Sequence, residues 1–456
     1  MFTFLSAIFF LASTPTPLSS SPPQEILRSQ TVRPLPGSLN EIPVFNSNSP
    51  ELVLEPGILL STFSPIGKTH SQAHLDFPFM GYFDIFAHHV AKAPTPEDLR
   101  TLYLGIIVYN PNNEPVKIDI FQAASYLSQP DAPFLSLDSF LENPEGEIYA
   151  GPGSRVMGEI LRGWHQLQFP FVMTIPPGES QMLLNLPIPV KDFDPPINGR
   201  SSYLRLWSSD RVYLASLAMF APQDETGRER LPMLSEWEAL LQEGNLAKPR
   251  DRAPTPPDSQ AGSFLYGRVA GVALGSQWET TLTDNSNVNF LTIPDRGQFI
   301  SYGISTLDRG TLGTEQIQSA PLVARYPDTA YKAHGNYGVR YSLKLPLYNP
   351  TDGDRRVTIA LETPIKQDEL SQGLRFFEPL PRNVFFRGTI EVEYPDDEGI
   401  LQTRYYHLVQ RRGQRGESLV TVNLKPRERR SIHIELLYPP DSTPPQVITI
   451  HTLDTN

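Results

Sequence analysis

Two stretches decide how this chain reads: Ile106-Ile107-Val108-Tyr109-Asn110-Pro111 and, much later, Leu345-Pro346-Leu347-Tyr348-Asn349-Pro350. The first runs through a polar turn into Val116-Lys117-Ile118-Asp119-Ile120, the second into Val357-Thr358-Ile359-Ala360-Leu361. Each copy is an apolar run, an Asn-Pro turn opener and a second run that alternates apolar with polar, which is the pattern of strand, tight turn, strand. A second pair follows each copy. Ile175-Pro176-Pro177-Gly178-Glu179 precedes Met182–Leu186, and Leu424-Lys425-Pro426-Arg427-Glu428 precedes Ile432–Leu436. The order is kept, so the chain reads as two related β units in tandem.

Working outward, short apolar runs separated by Pro, Gly and Asn turns fill residues 51–222 and 258–456. The expected fold is mainly β, with two tandem antiparallel β-sandwich-like domains joined by a short helix and a Pro-rich linker. The helix is expected from Ser235 as N-cap and Glu238 three residues on, with Trp237, Leu240 and Leu241 on one face and Gly244 as the stop. Lys248–Pro257 (KPRDRAPTPP) reads as an extended linker. Residues 1–24 are signal-peptide-like, because Phe2–Ala12 is an apolar run too short to span a bilayer, although no Lys or Arg precedes it. Residues 25–50 read as an extended arm, and 223–257 as helix plus linker.

Forty-six prolines among 456 residues argue against a mostly helical chain. The chain has no cysteine, which excludes disulfides and thiolate chemistry. Its formal net charge of −12 disfavours nucleic acid as a partner. That acidity is uneven: residues 51–222 carry 18 acidic against 10 basic side chains, and 258–456 carry 23 against 21.

Several stretches resemble a family of uncharacterised proteins found in cyanobacteria, known as a domain of unknown function. They are FNSNSPELV (Phe45–Val53), FDIFAHHVAK (Phe83–Lys92), AASYLSQPDAPF (Ala123–Phe134), YAGPGSRV (Tyr149–Val156), PRDRAPTPP (Pro249–Pro257), YGRVAGVALGSQW (Tyr266–Trp278) and AHGNYGVRY (Ala333–Tyr341). The resemblance spans nearly the whole chain and implies an exported, envelope-associated protein. It offers no catalytic motif to carry over.

Among candidate sites, His70, His74, Asp76, Asp84 and His88, with the adjacent His89, form the densest set of potential metal ligands. The plain alternative is turn and strand-end hydrogen bonding. A basic corner comprises Arg411, Arg412 and Arg415, followed by Lys425, Arg427, Arg429 and Arg430. If the flanking strands form a hairpin, the first three sit at its tip, where guanidinium forks suit an anionic polymer; the plain alternative is a solvated surface salt-bridged with Glu417 and Glu428. Asp284–Asn289, Asp352–Asp354 and Asp396–Glu398 read as polar turns rather than Ca²⁺ loops. Gly151-Pro152-Gly153-Ser154-Arg155 reads as a turn, since Pro152 removes an amide and no helix is evident after it. The aromatic turn Tyr331–Tyr337 offers rings for stacking. No G-x-S-x-G, Walker A or H-E-x-x-H motif occurs, so no catalytic residue and no cofactor are expected. The leading expectation is a non-enzymatic, exported, periplasmic or envelope-associated structural or binding protein. Its partner would be a cell-wall or outer-membrane polymer or an envelope protein, with no membrane span once the leader is removed. The alternatives are a carbohydrate-binding or carbohydrate-active protein, and a metal-binding protein using the His70–His89 region.

Overall fold

In both copies of the repeated stretch, the Asn-Pro turn joins strands of different layers. Leu102–Tyr109 pairs with Ser180–Ile188, whereas Val116–Leu127 pairs with Val172–Ile175. In the second copy Arg340–Tyr348 pairs with Arg429–Leu437, and Arg355–Glu362 with Ser418–Leu424. Each turn is therefore an arch between facing sheets rather than a hairpin, and the alternating pattern aims one face of each strand into the space between them.

Two arches stack at each rim, and one asparagine clasps them. Asn110 Nδ2 donates to the carbonyls of Glu114 (2.8 Å), Ile175 (2.9 Å) and Pro176 (3.1 Å), and its Oδ1 accepts from the Asn112 amide at 2.8 Å. Asn349 Nδ2 donates in the same way to Gly353 (2.9 Å), Leu424 (3.1 Å) and Lys425 (3.0 Å), and its Oδ1 accepts from Thr351. Both side chains are fully buried. The second arch needs a left-handed residue, supplied by Gly178 (φ 70°) in one copy and Arg427 (φ 61°) in the other.

The computed structural model describes residues 22–250, 252–259, 262–370 and 372–454; the signal-peptide-like run Phe2–Ala12 lies outside them. The fold is mainly β, with several sheets. The strand Ile197–Phe220 serves both layers of the first half. Its first part lies between Phe79–Lys92 and Val116–Leu127, and its second part between Leu102–Tyr109 and Gly57–Ser61. In the second half, a sheet ordered Gln277–Thr281, Arg340–Tyr348, Arg429–Leu437, Val384–Pro395 and Leu401–Arg411 faces one ordered Phe299–Ile304, Gln446–Thr452, Arg355–Glu362 and Ser418–Leu424. Their inward side chains, among them Leu343, Ile359, Ile390, Ile434 and Ile450, form one buried cluster.

The stretch 223–257 does not separate the sheets, contrary to expectation. Val269–Leu274 pairs with Pro43–Asn48 and so extends the first-half sheet, and Ala320–Arg325 adds to it. In return Phe140–Glu142 caps Leu401–Arg411, Thr31–Arg33 joins Phe299–Ile304, and Gln24–Ser29 pairs with Gly373–Glu378. The reason is the exposed edge: an unpaired strand leaves a row of open amides and carbonyls, and each half closes edges of the other. Residues 25–50 are accordingly paired strands, not a free arm. Lys248–Pro257 is not a free linker either, because the Lys248 carbonyl accepts from the amides of Leu54 and Glu55, and Arg250 forks onto Asp328 at 2.6 and 2.7 Å.

Two helices depart from the sequence reading. Pro152–Leu161 is a helix, with Pro152 in its first turn where an amide is dispensable. Val156, Met157 and Ile160 pack on Phe86, Tyr203 and Leu437. Gly153 is required there, since a Cβ would stand 2.2 Å from Pro440. The second helix is Leu234–Glu243 with Met233 as N-cap, two residues earlier than an N-cap at Ser235 implies. Its box is closed by Glu236, whose carboxylate accepts from the Met233 amide at 2.8 Å, while Trp237 and Leu241 are buried.

Candidate anion-binding groove

The expected basic corner divides. Leu401–Arg411 and Ser418–Leu424 belong to opposite sheets, so Arg411, Arg412 and Arg415 lie on a crossover rather than at a hairpin tip. Lys425, Arg427, Arg429 and Arg430 begin at the far end of Ser418–Leu424, about 20 Å away at the rise of an extended strand. Arg430 is buried against Asp397 (2.6 Å) and Glu428 (2.7 Å), so its fork is already used. Arg427 pairs with Asp352 at 2.9 Å, and Arg429 lies over Phe290 and Tyr348. Neither cluster acts as expected in full: two carboxylates distant or near in sequence neutralise Arg430.

Arg411 instead meets two arginines that the sequence reading missed. Arg382, Arg387 and Arg411 line a groove of about 500 Å³ between the ends of Val384–Pro395 and Leu401–Arg411 and the segment 134–139. That segment is placed by its continuation Phe140–Glu142, which pairs with the edge strand, and by Val409 donating to the Ser139 carbonyl at 3.1 Å. Among the described residues the guanidinia of Arg382 and Arg411 make no hydrogen bond or ion pair, and both are exposed. Arg387 is half-buried, with its guanidinium 5.4 Å from the Phe134 ring. Burial lowers its pKa, while Asp441 opposes the shift; an arginine stays charged all the same. Asp138 is the one acidic residue lining the groove, and Phe134, Leu135 and Leu380 give it an apolar wall. Arg412 flanks it over Phe377 and Phe385, and Arg415 stands 3.6 Å from Glu378. Sequence spacing gave no signal for this trio, because register and not proximity in sequence joins them.

The Gly151–Arg155 stretch does cradle an anion, and the anion is internal. Asp441 accepts from the Ser154 amide at 3.0 Å at the start of the helix Pro152–Leu161. Burial raises its pKa to about 6, against the pull of the Ser154 amide and Arg387.

The histidine-rich region is dispersed. His74 Nδ1 bonds Ser61 at 2.8 Å; His88 Nδ1 bonds Ser201 at 2.8 Å; and His89 bonds Ser47 at 2.9 Å and the Pro50 carbonyl at 2.8 Å. Asp84 accepts from Tyr203 at 2.8 Å and faces Arg205 at 3.8 Å, while burial raises its pKa. His70 precedes a short turn, and Asp76 is exposed at φ 51°. Strand alternation sends His88 and His89 to opposite faces. Among the described residues no three His, Asp or Glu side chains come together as a metal site.

A second groove, about 880 Å³, lies on the outer face of the Arg340–Tyr348 sheet and contains Ser342, Lys344, Glu393 and His433. Ser342, His433 and Glu435 invite comparison with a hydrolytic triad, but their wiring differs. Ser342 Oγ meets His433 Nε2 at 2.9 Å and donates to Glu435 Oε1 at 3.0 Å, and Glu435 approaches the same Nε2 at 3.4 Å. A triad needs the carboxylate on Nδ1. Asp284 accepts from Thr292, and Asp396 from the Glu398 and Ile400 amides, which is turn chemistry.

Comparison with known proteins adds the following. The family described as protein of unknown function (DUF3370) matches residues 30–452. No curated protein matches the chain. Among solved structures, Lac15 from a marine microbial metagenome is 10% identical, with 83% of this chain and 55% of that chain covered at a TM-score of 0.11. The chain thus spans about half the length of that protein. A mutant of Bacillus subtilis oxalate decarboxylase OxdC is 8% identical over 83% of this chain and 74% of that one (TM-score 0.10). The coconut allergen cocosin is 10% identical over 81% and 77% (TM-score 0.09). Likeness at such scores carries no conclusion about fold or activity.

Proposed function

We propose that this chain, which belongs to the family described as protein of unknown function (DUF3370), is a non-enzymatic binding protein of the cell envelope. In this reading it is an exported protein of two interlocked β-sandwich-like halves, and it grips an anionic group of an envelope polymer in the Arg382–Arg387–Arg411 groove. The observation that carries the reading is the pair of unpartnered guanidinia, Arg382 and Arg411, beside Arg387 in a groove of about 500 Å³. Among the described residues Arg382 and Arg411 engage no carboxylate, Asp138 in the same groove included, so their forks are free to take up an anion. Planar forks suit carboxylate or phosphate, and the Phe134–Leu135 wall suits an apolar stretch next to that group. The overall charge of −12 opposes long-range capture of anions, so recognition rests on the groove itself.

The test is co-sedimentation of the protein with isolated cell-wall and outer-membrane fractions across a salt series. Binding is expected at low salt and fades as salt rises. Arg382→Ala and Arg411→Ala are each expected to weaken it about tenfold, since a hydrogen bond to a charged group contributes about 1.5–3 kcal/mol. Arg427→Ala, at the far end of the strand, is expected to leave it unchanged. Retention by the Arg382→Ala/Arg411→Ala double variant would overturn the proposal.

A further inference from the structure

The arginine groove lies where the segments 133–139, 377–383 and 411–415 meet, and each of them supplies residues to its lining. The first segment is tied down at both ends. The Gly151 amide donates to the Pro133 carbonyl at 3.2 Å, and the Val409 amide donates to the Ser139 carbonyl at 3.1 Å. The other two are joined by the Arg412 amide, which donates to the Asn383 carbonyl at 2.9 Å.

Two features coincide at this end of the molecule. The first is apolar surface left in water. The Leu135 amide donates to the Pro133 carbonyl at 2.9 Å, closing a three-residue turn with Phe134 at its apex. Phe134 is 53% exposed and Leu135 49%, although the Phe134 ring rests on Gly151 and Arg387. Ser136 is exposed as well, so the segment stands out as a ridge whose inner side walls the groove. The second feature is positive charge short of counter-ions. Arg382 and Arg411 are exposed and unpaired, and Arg412, also exposed, lies over Phe377 and Phe385 with no ion pair among the described residues. With Arg387 and Arg415 these make five arginines against the surface carboxylates Asp138, Glu378 and Glu417. Glu378 is 3.6 Å from Arg415, Glu417 accepts from Ser139 at 2.7 Å, and Asp441 behind Arg387 is held by the Ser154 amide. The positive surplus is local, since the chain as a whole carries −12.

A soluble polyanion would satisfy the arginines and leave the ridge wet. An apolar protein surface would cover the ridge and bury guanidinia without partners, which is costly. A bilayer containing anionic lipids meets both needs, because head-group phosphates face the guanidinium forks while the acyl boundary beneath them takes the exposed ring and the leucine.

We propose that this end of the molecule docks on an anionic lipid bilayer, with Phe134 and Leu135 entering the interface and Arg382, Arg411 and Arg412 among the phosphates. The proposal rests on the reading of the groove as an anion site and sets that site at a lipid surface.

The test is co-sedimentation of the full chain with phosphatidylcholine vesicles that contain phosphatidylglycerol, against vesicles of phosphatidylcholine alone. Binding to the anionic vesicles is expected at low salt and fades as salt rises, and the neutral vesicles bind at least tenfold more weakly. Arg412→Ala is expected to weaken vesicle binding about fivefold, the contribution of one arginine near an anionic surface. Phe134→Ser/Leu135→Ser is expected to weaken it at least tenfold. A labelling readout leaves both apolar side chains in place. The chain has no cysteine, so Ser136→Cys carries a single polarity-sensitive fluorophore. Its emission is expected to shift to the blue on anionic vesicles. The same label at Ser286→Cys, in the turn where Asn289 accepts from Arg429 at the opposite rim, is expected to stay unshifted. Equal binding to both kinds of vesicle, no vesicle binding at any salt, or an unshifted label at position 136 would each overturn the proposal. Envelope fractions still held through Arg382 and Arg411 while vesicles are not would exclude the lipid surface and leave the groove reading standing. Binding to envelope fractions that is lost on protease treatment, with vesicles unbound, would assign the ridge to a protein and likewise overturn it.

Discussion

Replacing Asn349 by alanine is expected to be among the costliest single changes away from the apolar core. Its amide nitrogen reaches three carbonyls at 2.9–3.1 Å, and its oxygen holds the Thr351 amide at 3.0 Å, all at a fully buried position. Alanine removes these bonds at a net cost of about 1 kcal/mol each and leaves carbonyls dry at about 1 kcal/mol or more, giving about 3–5 kcal/mol in all. Against a total stability of about 5–15 kcal/mol this moves a urea unfolding midpoint well outside error. Aspartate is expected to be worse than alanine at neutral pH, because it sets an anionic oxygen against three carbonyl oxygens, and to recover partly in acid once its carboxyl can donate. Asn110→Ala tests the same clasp in the first half. Because strands are exchanged between the halves, either variant is expected to shift one common transition. A loss below about 1 kcal/mol for both variants, or an aspartate as stable as asparagine, would refute the clasp as described.

Two further predictions concern stability. Arg427 occupies the left-handed position that Gly178 fills in the other copy, so Arg427→Gly is expected to stabilise by about 0.5–1 kcal/mol after loss of the exposed Asp352 pair, and Gly178→Arg to destabilise by about 1–2 kcal/mol. Denaturant midpoints that move in the same direction for both would contradict it. Acid sensitivity follows from His88 and His89, whose pKa values burial lowers to about 4 and about 3. The unfolded chain takes up these protons below about pH 6.5 and the folded chain does not, so stability is complete above that value and falls as pH drops toward 3–4, by up to about 1.4 kcal/mol per pH unit for each ring. Unfolding curves between neutral pH and about pH 5 should show a shallower slope for His89→Gln than for wild type; equal slopes would exclude His89 as a source.

What could be read from sequence was what neighbouring residues decide. The Asn-Pro turns, their order and the stop at Gly244 all rest on local chemistry, and the structure keeps them. Arches and hairpins share turn residues, so the layer each strand enters was invisible until pairing was known. The helix Pro152–Leu161 escaped notice because two of its glycines sit where packing demands them: Gly153 under Pro440 and Gly158 against Thr389. Of the two carboxylates that neutralise Arg430, Glu428 stands two residues away and is legible in sequence, whereas Asp397 lies 33 residues away and is not. Arg382 and Arg387 were silent for the converse reason, since their kinship with Arg411 exists only in the register of two strands and a segment from the other half of the chain.

The exchange of strands also imposes a schedule on synthesis. Gln24–Ser29 pairs with Gly373–Glu378, and Arg28 forks onto Glu362, 334 residues downstream. At about 5–20 residues per second, a ribosome needs roughly 20–70 s to supply that partner. Throughout the interval the early strand has open backbone groups and an unanswered arginine, and the nascent chain cannot close its second half. A chain wired in this way favours a late, all-at-once closure over domain-by-domain maturation, and keeps its leading segment available to whatever carries or guards it until the last strands arrive.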